Sequence, residues 1–130
     1  MVRILIEGSH GDLAKEIRKI MNLPLYEPKV VKDARQEMAV SVPMVLIFDY
    51  YGYNGSEWTK ALLQQCGARN IPFIALVARA RRHTDRLAKI ILVREALKKG
   101  ALGVFDPDCH KSPFCVEELV RRIKMALAKA

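Results

Sequence analysis

The run Met44-Val45-Leu46-Ile47-Phe48 contains no polar residue. A strand of that kind is buried on both faces, as happens where helices cover a parallel sheet on each side. Four more strand-sized segments share the chain with it: Arg3–Ile6, Lys29–Val31, Phe73–Val77 and Gly103–Phe105. Between them lie stretches of helical period. Leu13, Ile17, Ile20 and Met21 mark a helix from about Asp12 to Met21, with Ser9 as its candidate N-cap. Asn22–Pro28 reads as a connection, and Asp33–Val40 as a brief helix ended by Pro43. Ser56 caps a helix reaching Cys66, with Gly67 placed for a left-handed C-terminal residue. Arg79–Lys99 carries Leu87, Ile90, Ile91, Arg94 and Leu97 at helical spacing and stops at Gly100. Ser112-Pro113 opens a last helix, whose buried stripe is Val116, Leu119, Val120, Ile123 and Leu127.

Strict alternation of five strands and five helices, joined by short right-handed crossovers, predicts a three-layer α/β sandwich. Its five-stranded parallel sheet takes the flavodoxin-like order 2-1-3-4-5. With 130 residues, 51% of them hydrophobic, the chain reads as a single domain, 1–130, that buries roughly two thirds of its extended surface. Such apolar content excludes an intrinsically disordered chain. No apolar run approaches the ~20 residues needed to span a bilayer, so a soluble protein without membrane contact is expected. The opening Met1-Val2-Arg3-Ile4-Leu5-Ile6-Glu7 meets an acidic residue too early for an export signal, and a cytoplasmic location is expected. Cys66, Cys109 and Cys115 make no CxxC and no common zinc spacing, so buried or idle thiols are expected. The 22 Lys and Arg against 14 Asp and Glu leave a net charge of +8. That excess bears on partners and not on fold.

In sheets of this order the functional crevice lies beyond the carboxyl ends of the strands. The residues there are Glu7, Gly8, Ser9 and His10 after the first strand, Asp49 and Tyr50 after the third, Ala78 after the fourth, and Asp106 and Pro107 after the fifth. Three segments around them look familiar. They are Pro43-Met44-Val45-Leu46-Ile47-Phe48-Asp49, Ile71-Pro72-Phe73-Ile74-Ala75-Leu76-Val77-Ala78 and Lys99-Gly100-Ala101-Leu102-Gly103-Val104-Phe105. In order and approximate separation the chain resembles the receiver domain of two-component response regulators, the CheY-like family, over nearly its whole length. The resemblance implies a phospho-accepting aspartate at Asp49 and a magnesium ion held beside it, with Glu7 and Asp49 as the metal ligands this chain can offer.

The chain departs from that family where the switch is built. The family's acidic pair after the first strand is here Glu7-Gly8-Ser9, so Glu7 is the only nearby carboxylate. The hydroxyl residue ending the family's fourth strand falls on Val77, and the lysine ending its fifth falls on Asp106 or Pro107. A magnesium ion with so few carboxylate ligands does not recover its dehydration cost, so no cofactor and slow or absent phosphorylation are expected. The expected function is that of a stand-alone, degenerate receiver-like signalling module. It would act by protein–protein contact and not as an enzyme.

Several other features bear on function. Arg79, Arg81, Arg82, Arg86 and Lys89 read either as a solvated helix face or as a basic surface that would bind an acidic protein. In the receiver family the fourth helix, fifth strand and fifth helix form a contact surface, which implies a possible homodimer. Nonspecific nucleic-acid binding through the basic fourth helix is a further alternative. Gly8-Ser9-His10-Gly11 ahead of a helix suits a nucleotide- or phosphate-binding turn. His10, His110, Glu7, Asp49 and Asp106 would suit a transition metal if they converged. Tyr50, Tyr51, Tyr53 and Trp58 make either an exposed aromatic surface or a covering for the core.

Overall fold

The computed structural model describes residues 2–21, 25–40, 43–53, 56–78 and 85–128. Five strands, β1 (Val2–Glu7), β2 (Tyr26–Val31), β3 (Met44–Asp49), β4 (Phe73–Leu76) and β5 (Val104–Phe105), form one parallel sheet in the order β2-β1-β3-β4-β5. The helices are α1 (Gly11–Ile20), α2 (Ala34–Met38), α3 (Glu57–Arg69), α4 (Asp85–Lys98) and α5 (Pro113–Ala128), with a short 3-10 helix at Pro107–Lys111 between β5 and α5. This is the α/β, flavodoxin-like arrangement that the alternating pattern predicts.

Side chains alternate across each strand and divide the core in two. Ile4, Ile6, Val45, Ile47, Ile74 and Leu76 pack with Leu13 and Ile17 of α1 and with Val116, Leu119, Val120 and Ile123 of α5. Leu5, Leu46, Phe48, Phe73 and Ala75 face Ala34 and Met38 of α2, Leu62, Leu63 and Cys66 of α3, and Ala96 of α4. Val45, Leu46, Ile47 and Phe48 are all completely buried, which is why β3 tolerates no polar alternation.

Several local expectations need correction. β2 begins at Tyr26 and not at Lys29, with Pro28 in register with Ile4. Proline is tolerated there because β2 is an edge strand and loses no ladder bond on its open side. Ser9 does not cap α1. Gly8 turns the chain at φ +108, so His10 takes the N-cap position, and its side chain makes no cap bond. Gly67 lies inside α3, which runs on to Arg69 and closes with Asn70 in the left-handed conformation at φ 53; asparagine accepts that geometry more readily than most residues. β4 stops at Leu76, leaving Val77 just beyond it, buried, with its amide donating to the Phe105 carbonyl at 2.9 Å.

The thiol expectation holds for one cysteine of three. Cys109 and Cys115 are disulfide-bonded, because the 3-10 helix folds the chain back and brings their Cα atoms to 5.4 Å. Cysteine usage therefore gives no support to a reducing compartment. Cys66 is a free, buried thiol, and burial pushes its pKa up to about 12. Among the described residues, no helix is long and apolar enough to cross a membrane.

Candidate functional site

The carboxyl edge of the sheet gathers the residues of interest. Asp49 ends β3, and the next residues of β1 are Glu7 and the Gly8 turn. Within this edge the two carboxylates have separate partners. His10 Nε2 lies 3.1 Å from Asp49 Oδ1 and 3.0 Å from Oδ2. An ionised carboxylate only accepts, so this nitrogen carries the proton that it donates. Hydrogen bonding to Asp49 and the charge of that carboxylate raise the His10 pKa above its usual value, against an opposing effect of burial. A histidine ring nitrogen thus lies against the carboxylate that the receiver resemblance assigns to a divalent cation.

Gly8 makes this approach possible. A Cβ at that position would sit 3.2 Å from Asp49 Oδ2 and 3.3 Å from the His10 ring, on a backbone turned to positive φ. The same closeness weakens the phosphate-turn alternative for Gly8–Gly11, since an anion held there would meet the Asp49 carboxylate.

Glu7 is buried and serves a different purpose. Its Oε2 accepts from the Ala34 amide at 3.0 Å, at the start of α2, and its Oε1 accepts from the Trp58 indole nitrogen. The Arg35 guanidinium lies over the Trp58 ring, 4.3 Å from its centroid. Glu7 is therefore a strut that joins β1 to α2 and α3, fully satisfied where it stands. The pair Glu7 and Asp49 does not fit a magnesium site: one carboxylate is spent on an indole and an amide, the other on an imidazole. Among the described residues, no group of three or more His, Cys, Asp or Glu side chains is placed to hold a metal ion.

The five proposed transition-metal ligands do not converge. His110 faces Asp12 at 4.0 Å, and Asp106 accepts from the Asp108 amide at 2.8 Å, capping the 3-10 helix. Pro107 opens that helix. The positions to which the receiver resemblance assigns a hydroxyl and a lysine thus hold a packed Val77, a capping Asp106 and a helix-opening Pro107.

Beyond Asp49 the chain turns under α4. Tyr50 is buried, and its hydroxyl donates to Glu95 Oε1, which also accepts from the Tyr53 amide at 2.5 Å. Burial chiefly, and then Glu95, raises the Tyr50 pKa, while the Tyr50 hydroxyl and Tyr53 amide lower that of Glu95. Lys99 and Lys60 ammonium groups lie 3.9 and 5.3 Å from the Tyr53 ring centroid. Of the four aromatic residues, Tyr51 alone is strongly exposed; Tyr53 and Trp58 pack against the core. Sequence reasoning missed Glu95, whose role depends on a helix orientation that its neighbours do not announce.

That orientation is the other notable feature. Leu87, Ile90, Ile91 and Leu97, with exposures of 70, 47, 63 and 50%, face outward from α4. Arg86, Arg94 and Lys98 are exposed on the same helix, and a cavity of about 390 Å³ is lined by Ile91, Arg94, Glu95 and Lys98. Of the expected partner-binding residues, Arg86 is exposed and Lys89 is half-buried, whereas Arg79, Arg81 and Arg82 lie outside the described residues. No family model matches the chain, and no curated protein matches it.

Proposed function

We propose that this chain is an atypical receiver-like signalling module that acts through protein–protein contact without depending on phosphorylation of Asp49. The observation that carries this reading is the pairing of both Asp49 oxygens with His10, beside a Glu7 committed to Trp58 and the Ala34 amide. Phosphoryl transfer to a carboxylate needs a cation on the transferred oxygens and an unencumbered nucleophile. Here the carboxylate proposed as nucleophile already has both oxygens bonded to a histidine ring, and the second candidate ligand is turned to structural use.

The outward face of α4 supports the contact half of the proposal. Contiguous exposed aliphatics among cations mark an interaction surface, and they suit a partner segment with an apolar strip flanked by Asp and Glu. A homodimer through α4, β5 and α5 would bring like charges together on a chain of net +8, so an acidic partner is the favoured occupant. The test is exposure of the native protein to acetyl phosphate and Mg²⁺, followed by intact mass. The unmodified mass is expected, and a stoichiometric phosphoryl adduct on Asp49 would overturn the reading.

A further inference from the structure

We propose that Cys109 and Cys115 form a reversible dithiol–disulfide couple, and that its state is transmitted through the start of α1 to the His10–Asp49 pair. The couple is a modification site that stands whether or not Asp49 ever accepts phosphate.

The bond joins residues only six positions apart. They are already held together by the Cys109 amide donating to the Asp106 carbonyl at 2.9 Å, the Ser112 amide to the Cys109 carbonyl at 3.1 Å, and the Cys115 amide to Ser112 Oγ at 3.4 Å. Closing so short a loop removes less freedom from the unfolded chain than a bond between distant segments would. Global stability is therefore not what this bond chiefly provides, and the fold is expected to survive its reduction.

The two sulfurs differ in access. Cys109 is 2% exposed, inside the core shared by α1 and α5, whereas Cys115 is half-buried. Cys115 is also the third residue of α5, where the aligned amides of a helix start favour a thiolate. Of the two residues it is the more open to an outside thiol.

The chemistry is ordinary thiol–disulfide exchange with a dithiol reductant. One reductant thiolate attacks Cys115 Sγ and forms a mixed disulfide. The Cys109–Cys115 bond breaks, and its electron pair leaves on Cys109 Sγ, which takes up a proton. The second reductant thiolate then closes on the first, and Cys115 departs as a thiolate and is protonated in turn. Two electrons and two protons enter the protein, and the reductant leaves as its own disulfide. An oxidised dithiol reverses the sequence.

Transmission follows from placement. The 3-10 helix that contains Cys109 lies against the start of α1: Cys109 shares its core with Leu13 and Ala14, and His110 reaches to 4.0 Å from Asp12. His10 immediately precedes α1 and holds Asp49. Opening the bond frees Cys115 from Cys109 and loosens the 3-10 helix against that start.

The native chain, equilibrated in oxidised or reduced dithiothreitol, is alkylated with iodoacetamide and mapped by peptide mass, and the His10 ring titration is followed by NMR in both states. Labelling of Cys115 is expected to rise from none to complete on reduction, with Cys66 unlabelled and secondary structure intact. The His10 titration midpoint is expected to differ between the states, and the variant C109S/C115S to give the midpoint of the reduced protein. Equal labelling of Cys115 in both buffers would overturn the proposal. So would a bond that yields only in denaturant, reduction that unfolds the chain, or a His10 midpoint identical in both states.

Discussion

Alanine at Gly8 would press a methyl group toward Asp49 Oδ2 from a backbone at φ +108. The expected cost is about 1–3 kcal/mol, measured as a lowered denaturation midpoint. The His10–Asp49 pair also gives stability a pH dependence of definite sign. The folded His10 pKa lies above the 6.5 of the unstructured chain, so the folded state binds this proton more tightly. The stabilisation is fully present below about pH 6.5 and is lost as pH rises through the folded value. Denaturation midpoints across that window are expected to fall with pH in the native protein, and His10→Gln should remove the part due to this pair. An unchanged slope in the variant would contradict the pairing. Sequence alone places Glu7, His10 and Asp49 at one edge, because strand ends follow from apolar runs. It does not reveal which of them pair. That depends on the Gly8 turn and on the indole of Trp58, which arrives from a helix 51 residues further along the chain.

Elements differ in how plainly their sequence shows their surroundings. In β3 and α5 the apolar pattern has one interpretation, and the structure follows it. In α4 aliphatic residues occur nearly all round: Leu92 and Ala96 pack inward, while Leu87, Ile90, Ile91 and Leu97 face out. The spacing that marks the helix therefore does not say which side is buried, and Glu95, bonded to Tyr50 and Tyr53, helps to fix that choice. The disulfide was hidden for a similar reason. Cys109 and Cys115 meet only because a 3-10 helix, with Asp106 capping it, lies between them. Replacing Leu87 and Ile91 together with serine is expected to change folding stability by about 0.5 kcal/mol or less per site, since neither side chain is in the core. The same variant should lose binding to an acidic partner segment. A destabilisation of several kcal/mol would mean that this face is buried against the rest of the chain.

At the scale of the molecule, the sheet order and the two-layered core were legible because a strand buried on both faces admits few architectures. The candidate site was legible only in part. Val77, Asp106 and Pro107 show from identity alone that these positions offer neither a hydroxyl nor an ammonium, whereas the imidazole against Asp49 emerges only once the chain is folded. A histidine ring bonded to both Asp49 oxygens, where the proposed receiver-like reading would seat a metal, makes a direct demand on magnesium. Amide and His10 ring resonances should be followed by NMR through a Mg²⁺ titration into the millimolar range. No saturable shift is expected at Gly8, His10 or Asp49. Saturable shifts at all three, with the His10 ring released from Asp49, would contradict the account.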